Sequence, residues 1–132
     1  MTPQNLILDT NAVIRFIIGD DIAAFGTVRD IIIEEDSCTV PIEVIAEVVY
    51  NLRDKYGMTR QEVADRIKEF ALIKEDIIAE TNVVRFALNL YASSKFDFVD
   101  CLLDGYAKEK GISVFTFDID LRRRLKEKAF NA

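Results

Sequence analysis

The hexapeptide Leu6–Asn11 is the feature that most constrains the fold, because three aliphatic residues run directly into Asp9, Thr10 and Asn11. A short apolar run is typical of a strand buried in a parallel sheet, and the polar end marks where the strand leaves the core. The residues from there to Gly19 read as a helix, which Asp9 or Thr10 can cap. Asp9 is therefore expected at the carboxyl end of a strand, where open α/β sheets bind ligands. The alternative is that Asp9 is only a helix cap.

Helices and short strands are predicted to alternate along the rest of the chain. The spacing of apolar residues predicts helices over residues 20–35, 42–56, 59–70, 81–91, 98–110 and 121–128, and strands over 37–40, 76–80 and 112–118. Thr59 and Glu62 match a capping box, and Gly57 and Gly111 follow helix ends. Such alternation predicts an α/β fold: a three-layer α/β/α sandwich with a central, mostly parallel sheet of four to five strands. A length of 132 residues fits one domain over residues 1–132.

Composition excludes several classes of function. The chain has no histidine, which rules out a Ser-His-Asp triad and imidazole ligands for zinc. A net charge of −6 disfavours passive binding to nucleic acid, which normally needs a basic surface. Cys38 and Cys101 are expected to be buried free thiols. Because no run approaches the ~18 apolar residues of a membrane span, and residues 1–5 lack the basic start of a signal peptide, a cytoplasmic protein is expected.

Four acidic residues stand in otherwise apolar surroundings: Asp9, Glu47, Asp100 and Asp118. Burying an acid is costly unless it is paired or binds a cation. Two like charges ~4 Å apart repel by about 4 kcal/mol at an effective dielectric constant near 20, so a cluster of four needs a cation or bound protons. One shared cation would explain all four acids. Carboxylate oxygens without histidine or cysteine favour Mg²⁺ or Mn²⁺.

The remaining charged candidates have simpler alternatives. Asp97 and Asp120 lie at the expected rim of the acidic site, and each can instead cap a helix. Asp104 presents a second carboxylate on the helical face of Asp100, or pairs with Lys108 on an exposed face. The basic run of the last helix, Arg122, Arg123, Arg124, Lys126 and Lys128, is either a solvated helix face or a contact for an RNA backbone. Arg15 and Arg53 are further possible phosphate contacts.

These motifs together resemble those of the PIN-domain nucleases. The matching segments are Leu8–Asn11, Ala46–Leu52, Phe98–Leu103 and Thr116–Asp118, in family order across residues 6–120. The short chain looks like the VapC-type toxins of toxin–antitoxin pairs. The resemblance implies an Mg²⁺- or Mn²⁺-dependent endoribonuclease, a homodimer, and an antitoxin partner that blocks the site.

Carried over by position, the resemblance implies an acidic quartet of Asp9, Glu47, Asp100 and Asp118, which bind metal and act in catalysis. It places Asn11 beside the quartet, holding a ligand or phosphate, and gives Asp104 a supporting role only. Asp118 and Asp120 both lie at the fourth corner, so either of them can complete the set.

Three other interpretations remain. A haloacid-dehalogenase-like phosphatase also begins with a strand ending in Asp, but it needs a second Asp where this chain has Asn11. A phosphoacceptor receiver domain needs an Asp after a mid-chain strand, whereas Asp76 precedes its predicted strand. The third is a PIN-like module that binds RNA or protein without cutting it, and the intact acidic quartet argues against it.

Overall fold

The fold was analysed on a computed structural model that describes residues 5–125, apart from the side chain of Asn5. The two strands are β1 (Asn5–Ile7) and β2 (Ser37–Thr39). The helices of this part of the chain are α1 (Thr10–Ile18), α2 (Ile22–Glu34), α3 (Ile42–Asp54), α4 (Arg60–Ala71), α5 (Thr81–Ser93), α6 (Phe98–Lys110) and α7 (Ile119–Leu125). No helix in the described range is both long and apolar enough to cross a membrane.

The chain divides into two compact units, one ending at Thr81 and the other beginning at Asn82. The expectation of one domain over residues 1–132 therefore stays a prediction.

A small parallel sheet organises the first unit. Strands β1 and β2 pair with Leu6 opposite Cys38, and the amide of Leu8 donates to the carbonyl of Thr39 at 3.0 Å. Beyond β2, Val40 forms a parallel bridge with Ile78. Leu8, Cys38, Val40 and Ile78 are all buried, as expected for strands that lie inside an α/β core.

Helices α1 and α3 pack against each other within this unit. The apolar positions of α3, at Ile45, Val48, Val49 and Leu52, are fully buried and follow a spacing of three to four residues. Helix α1 begins directly after Asp9 and ends at Gly19, whose φ of 68° is the left-handed conformation that glycine adopts without strain. The predicted cap at Asp9 and the predicted end at Gly19 are confirmed.

The second unit is built from α5, α6 and α7. Gly105 of α6 allows a close approach to α5, because a Cβ at this position would lie only 2.9 Å from the carbonyl oxygen of Val83. Helices α6 and α7 pack together. Ala107 of α6 and Leu121 and Leu125 of α7 form an apolar cluster with Val114 of the segment between the two helices, and Phe96 and Leu103 pack at its edge.

The sheet is smaller than predicted, because the described residues contain two strands rather than four to five. The predicted strand 76–80 is reduced to the bridge at Ile78, since Asp76 and Glu80 have φ values of 60° and 53° that turn the chain on both sides. The predicted strand 112–118 forms none of the described strands. Only Val114 of its apolar residues is buried, while the rings of Phe115 and Phe117 are exposed and pack edge to face on each other.

The other boundaries require smaller corrections. Helix α7 begins at Ile119, two residues before the predicted start, because Asp118 caps it. Lys126 and Lys128, predicted in the same helix, lie outside the described residues.

The capping box of α4 gives a test of local stability. Thr59 Oγ1 accepts the amide of Glu62 at 3.1 Å, and Glu62 Oε1 accepts the amide of Thr59 at 3.1 Å. We expect Thr59→Ala to lower the free energy of unfolding by about 1 kcal/mol, because an N-terminal amide of the helix loses its acceptor. Urea denaturation at neutral pH measures the change. An unchanged midpoint would show that the box adds nothing to stability.

The same box predicts a pH dependence. The hydrogen bonds from Thr59 lower the pKa of Glu62 below its ordinary value of 4.5. The stability that ionised Glu62 contributes is therefore complete above pH 4.5 and is lost as the pH falls through the lower folded value. In denaturation series from pH 7 to pH 3, the stability difference between wild type and Glu62→Gln should shrink with acid. A difference that stays constant would contradict this assignment.

Candidate acidic site

Three aspartates of the second unit lie near one another. Asp97 occupies the N-cap position of α6, Asp100 lies in the first turn of that helix, and Asp118 precedes α7. The pKa of Asp100 is raised above its ordinary value, first by partial burial and then by the negative charges of Asp118 and Asp97. Asp100 and Asp118, the two predicted quartet members of this unit, are therefore close enough for their charges to interact.

Asp118 is held in place by the start of α7. Its Oδ1 accepts the amide of Leu121 at 2.8 Å, and its own amide donates to Thr116 Oγ1 at 3.0 Å. Asp118 therefore caps α7, a role that the sequence had allowed for Asp120. Because a carboxylate has two oxygens and the cap uses one, capping orients Asp118 without consuming it. Asp120 is exposed and lies 3.8 Å from Arg123.

Asp104 differs from Asp100 although both lie on α6. The Asp104 side chain is fully buried; its Oδ1 lies 2.6 Å from Lys108 Nζ and its Oδ2 lies 2.9 Å from Arg124 Nε. The expected pair with Lys108 is present, but Asp104 is buried rather than on an exposed face. Since cations of the protein already neutralise both oxygens, any support that Asp104 gives to the site is indirect: it ties α7 to α6.

The first unit carries the other predicted residues. Asp9 Oδ1 accepts the amide of Ala12 at 2.9 Å, so the proposed alternative, a helix cap, is present. As at Asp118, the cap engages one carboxylate oxygen. Asn11 lies exposed in the first turn of α1, and Glu47 lies exposed on α3, which packs against α1. The carbonyl of Glu47 accepts the side-chain amide of Asn51 at 2.8 Å.

A metal site remains a prediction. Within residues 5–125, no group of three or more acidic or cysteine side chains meets the spacing of a ready-made metal site. The chemistry of the second unit nevertheless fits a cation. Asp100 has carboxylates as its charged neighbours, and oxygen ligands without nitrogen or sulfur suit Mg²⁺ or Mn²⁺.

The basic run divides into three different environments. Arg122 donates to the carbonyl of Thr116 at 2.9 Å and is half-buried. Arg124 is bound to Asp104, whereas Arg123 is exposed and only loosely paired with Asp120. Of the three predicted RNA contacts, Arg123 alone is highly exposed.

The other two candidate phosphate contacts have structural partners. Arg15 donates to the hydroxyl of Tyr56 at 2.6 Å, and Arg53 donates to the carbonyl of Met58 at 2.9 Å.

Asp97 is the residue that sequence reasoning undervalued. The sequence allows Asp97 to be a rim residue or a helix cap, and its side chain makes no capping hydrogen bond at the start of α6. Its charge acts on Asp100 instead. The available signal was its spacing, because residues three apart at a helix start lie on the same side.

Comparisons with known proteins agree with the motifs. The PIN domain family matches residues 6–126. Among curated proteins, the chain is similar to a VapC ribonuclease of Aquifex aeolicus (strain VF5), with 30% identity over 129 residues that cover 94% of this chain and 92% of that protein. No solved structure matches the chain.

The buried pair of Asp104 gives a stability test. Replacing Arg124 by Gln leaves the fully buried carboxylate of Asp104 with Lys108 as its remaining cation. We therefore expect the free energy of unfolding to fall by about 3 kcal/mol. Arg123→Gln is the matched control. Asp120, the neighbour of Arg123, is exposed, so this substitution should change the free energy of unfolding by less than about 0.5 kcal/mol. Urea denaturation of both variants measures the difference.

Coupling between the two partners completes this test. Adding Asp104→Asn to Arg124→Gln should restore part of the lost stability, because it removes a buried charge that has lost one of its two cations. Equal losses from the Arg123 and Arg124 substitutions would contradict the structural role of the pair.

Proposed function

The chain belongs to the PIN-domain family and is of the VapC type, and from this premise we propose that it is a metal-dependent endoribonuclease that hydrolyses phosphodiester bonds of RNA. The observation that carries the proposal is the grouping of Asp97, Asp100 and Asp118 at the starts of α6 and α7, where the charges of Asp118 and Asp97 act on Asp100. A helix that places an acid next to other acids loses stability, and such an arrangement is typical of a functional site.

Asp9, Glu47, Asp100 and Asp118 would hold Mg²⁺ or Mn²⁺ through carboxylate oxygens. When bound, the ion supplies positive charge against the scissile phosphate and makes a water molecule more acidic. The residues of the chain do the positioning. The caps at Asp9 and Asp118 each fix one oxygen to a helix amide, which restrains the direction of the other. Asn11 follows Asp9 by two residues and would hold a ligand or a phosphate oxygen.

The VapC type suggests the partners. We propose that the protein is the toxin of a toxin–antitoxin pair, that a cognate antitoxin blocks the acidic site, and that the chain acts in the cytoplasm as a homodimer. Co-purification with the product of a neighbouring reading frame, followed by a cleavage assay of the complex, tests the antitoxin. Sedimentation of the purified toxin tests the dimer.

Cleavage of RNA gives the first test of the reaction. Purified protein should cut RNA in Mg²⁺ or Mn²⁺ and stop when a chelator is added. Asp100→Asn should lower the rate on the order of a hundredfold or more, because the neutral amide holds a cation poorly. Asp30→Asn is the matched control, since Asp30 is an exposed acid of α2 paired with Arg29. If folded wild type cuts no RNA with either metal, the chain is instead a PIN-like binding module.

Thermal unfolding gives a second test that needs no substrate. Repulsion from Asp97 and Asp118 is relieved in Asp100→Asn, so this variant should melt above wild type in chelator. Mg²⁺ should raise the melting temperature of wild type, because a ligand that binds only the folded state stabilises it, and should raise that of Asp100→Asn much less. If Asp100→Asn melts below wild type in chelator and both respond equally to Mg²⁺, Asp100 is a structural residue.

A further inference from the structure

A concavity of about 610 Å³ lies on the second unit between the turn before α6 and helix α7. We call it the α7 pocket, and its lining residues are Lys95, Phe96, Asp120, Arg123 and Arg124. Its volume falls in the range of pockets that bind small organic groups such as a nucleotide. A second concavity of about 380 Å³ continues it, sharing Phe96 and Arg124.

The charge of the α7 pocket is opposite to that of the chain. The whole chain carries −6, yet this pocket has three cations and one acid. A local excess of positive charge on an acidic protein is a binding surface for an anion such as a phosphodiester backbone.

Phe96 gives the pocket an aromatic wall that is fixed in place. Its ring packs on the apolar cluster of Ala107, Val114, Leu121 and Leu125. The backbone on either side is also held, since the amide of Phe96 donates to Ser94 Oγ at 3.3 Å. An immobile aromatic ring beside cations is how proteins bind single strands, because any unpaired base can stack on the ring while its phosphates meet the cations.

The pocket adjoins the acidic site through the chain itself. Phe96 is bonded to Asp97, and Asp120 follows Asp118 by two residues on the same helix start. The α7 pocket is therefore within reach of a nucleotide that neighbours a phosphate at the acidic site.

We propose that the α7 pocket binds a nucleotide of single-stranded RNA next to the bond that is cut, with Arg123 and Lys95 on its phosphates and Phe96 against its base. This rests on the proposed function, because the acidic site defines which bond is cut. The proposal also assigns different roles to the arginines of the basic run. Arg123, together with Lys95 from another part of the chain, contacts the substrate, whereas Arg122 and Arg124 serve the fold.

The test measures RNA binding in the presence of a chelator, so that no cleavage takes place. Fluorescence anisotropy of a labelled single-stranded oligouridylate is compared for wild type, Arg123→Glu, Lys95→Gln and Phe96→Leu. Arg29→Glu is the matched control, because Arg29 is also an exposed arginine paired with a nearby acid, and its substitution changes the net charge equally.

We expect Arg123→Glu to weaken binding about tenfold or more and to lower the slope of log affinity against log salt by about one, since one phosphate contact is lost. Lys95→Gln and Phe96→Leu should each weaken binding several-fold, and Arg29→Glu should stay within about twofold of wild type. A duplex RNA of the same length should compete poorly, because its bases are not free to stack.

Equal weakening by Arg123→Glu and Arg29→Glu would overturn the proposal, since binding would then follow net charge alone. The proposal would also be overturned if Arg123→Glu, Lys95→Gln and Phe96→Leu each bound RNA with wild-type affinity. The pocket would then be a candidate site for a protein partner. Melting temperatures near that of wild type for Arg123→Glu show that a loss of binding is not a loss of folding. Because no metal is present, this result stands apart from the cleavage test of Asp100→Asn.

Discussion

Neutralisation of carboxylate charge is the constraint on which the second unit depends, and helix α6 meets it in two ways. Asp100 and Asp104 lie four residues apart on this helix. Asp104 is fully buried between Lys108 and Arg124. Asp100 is half-buried beside Asp97 and Asp118. Asp104 shows how this chain treats an acid that serves the structure: it supplies cations from its own side chains. Within residues 5–125, the charged groups that act on Asp100 are the acids Asp118 and Asp97. This contrast within one helix supports the proposal that a cation from outside the chain neutralises the charge of Asp100.

The two roles considered for Asp9 and Asp118 are compatible. Each carboxylate caps a helix, and each cap uses a single oxygen. A cap also restrains the side chain in a defined rotamer, which a flexible surface acid lacks. Functional acids at the starts of helices therefore gain a fixed direction from the same backbone amides that the helix needs to have satisfied.

Local signals made the helices predictable. The cap at Asp9, the box of Thr59 and Glu62, and the terminal Gly111 all act within a few residues, so they can be read directly from the sequence. The strands depend on partners far along the chain. The segments 76–80 and 112–118 have the composition of strands, but the turns at Asp76 and Glu80 and the exposed rings of Phe115 and Phe117 are not encoded by apolar periodicity.

The site was predictable as a set of residue types and only partly as an arrangement. Asp9, Glu47 and Asp118 stand beside apolar residues in the sequence, yet they are exposed. The apolar setting of Asp100 correctly indicated that this acid is partly buried. The same signal could not distinguish it from Asp104, whose partner Arg124 lies 20 residues away. It also could not divide the run of three arginines, because Arg124 pairs with Asp104 on α6 whereas Arg122 bonds to the segment before α7. Long-range pairing is the information that one sequence read alone does not supply.

The most direct measurement of the central claim is a crystal structure of the protein grown with Mn²⁺, with the ion located by its anomalous scattering. The account predicts an anomalous peak at about 2.2 Å from a carboxylate oxygen of Asp100, with Asp118 as a further ligand. Well-ordered Asp100 and Asp118 side chains with no peak between them, at a concentration of Mn²⁺ that supports RNA cleavage, would contradict it.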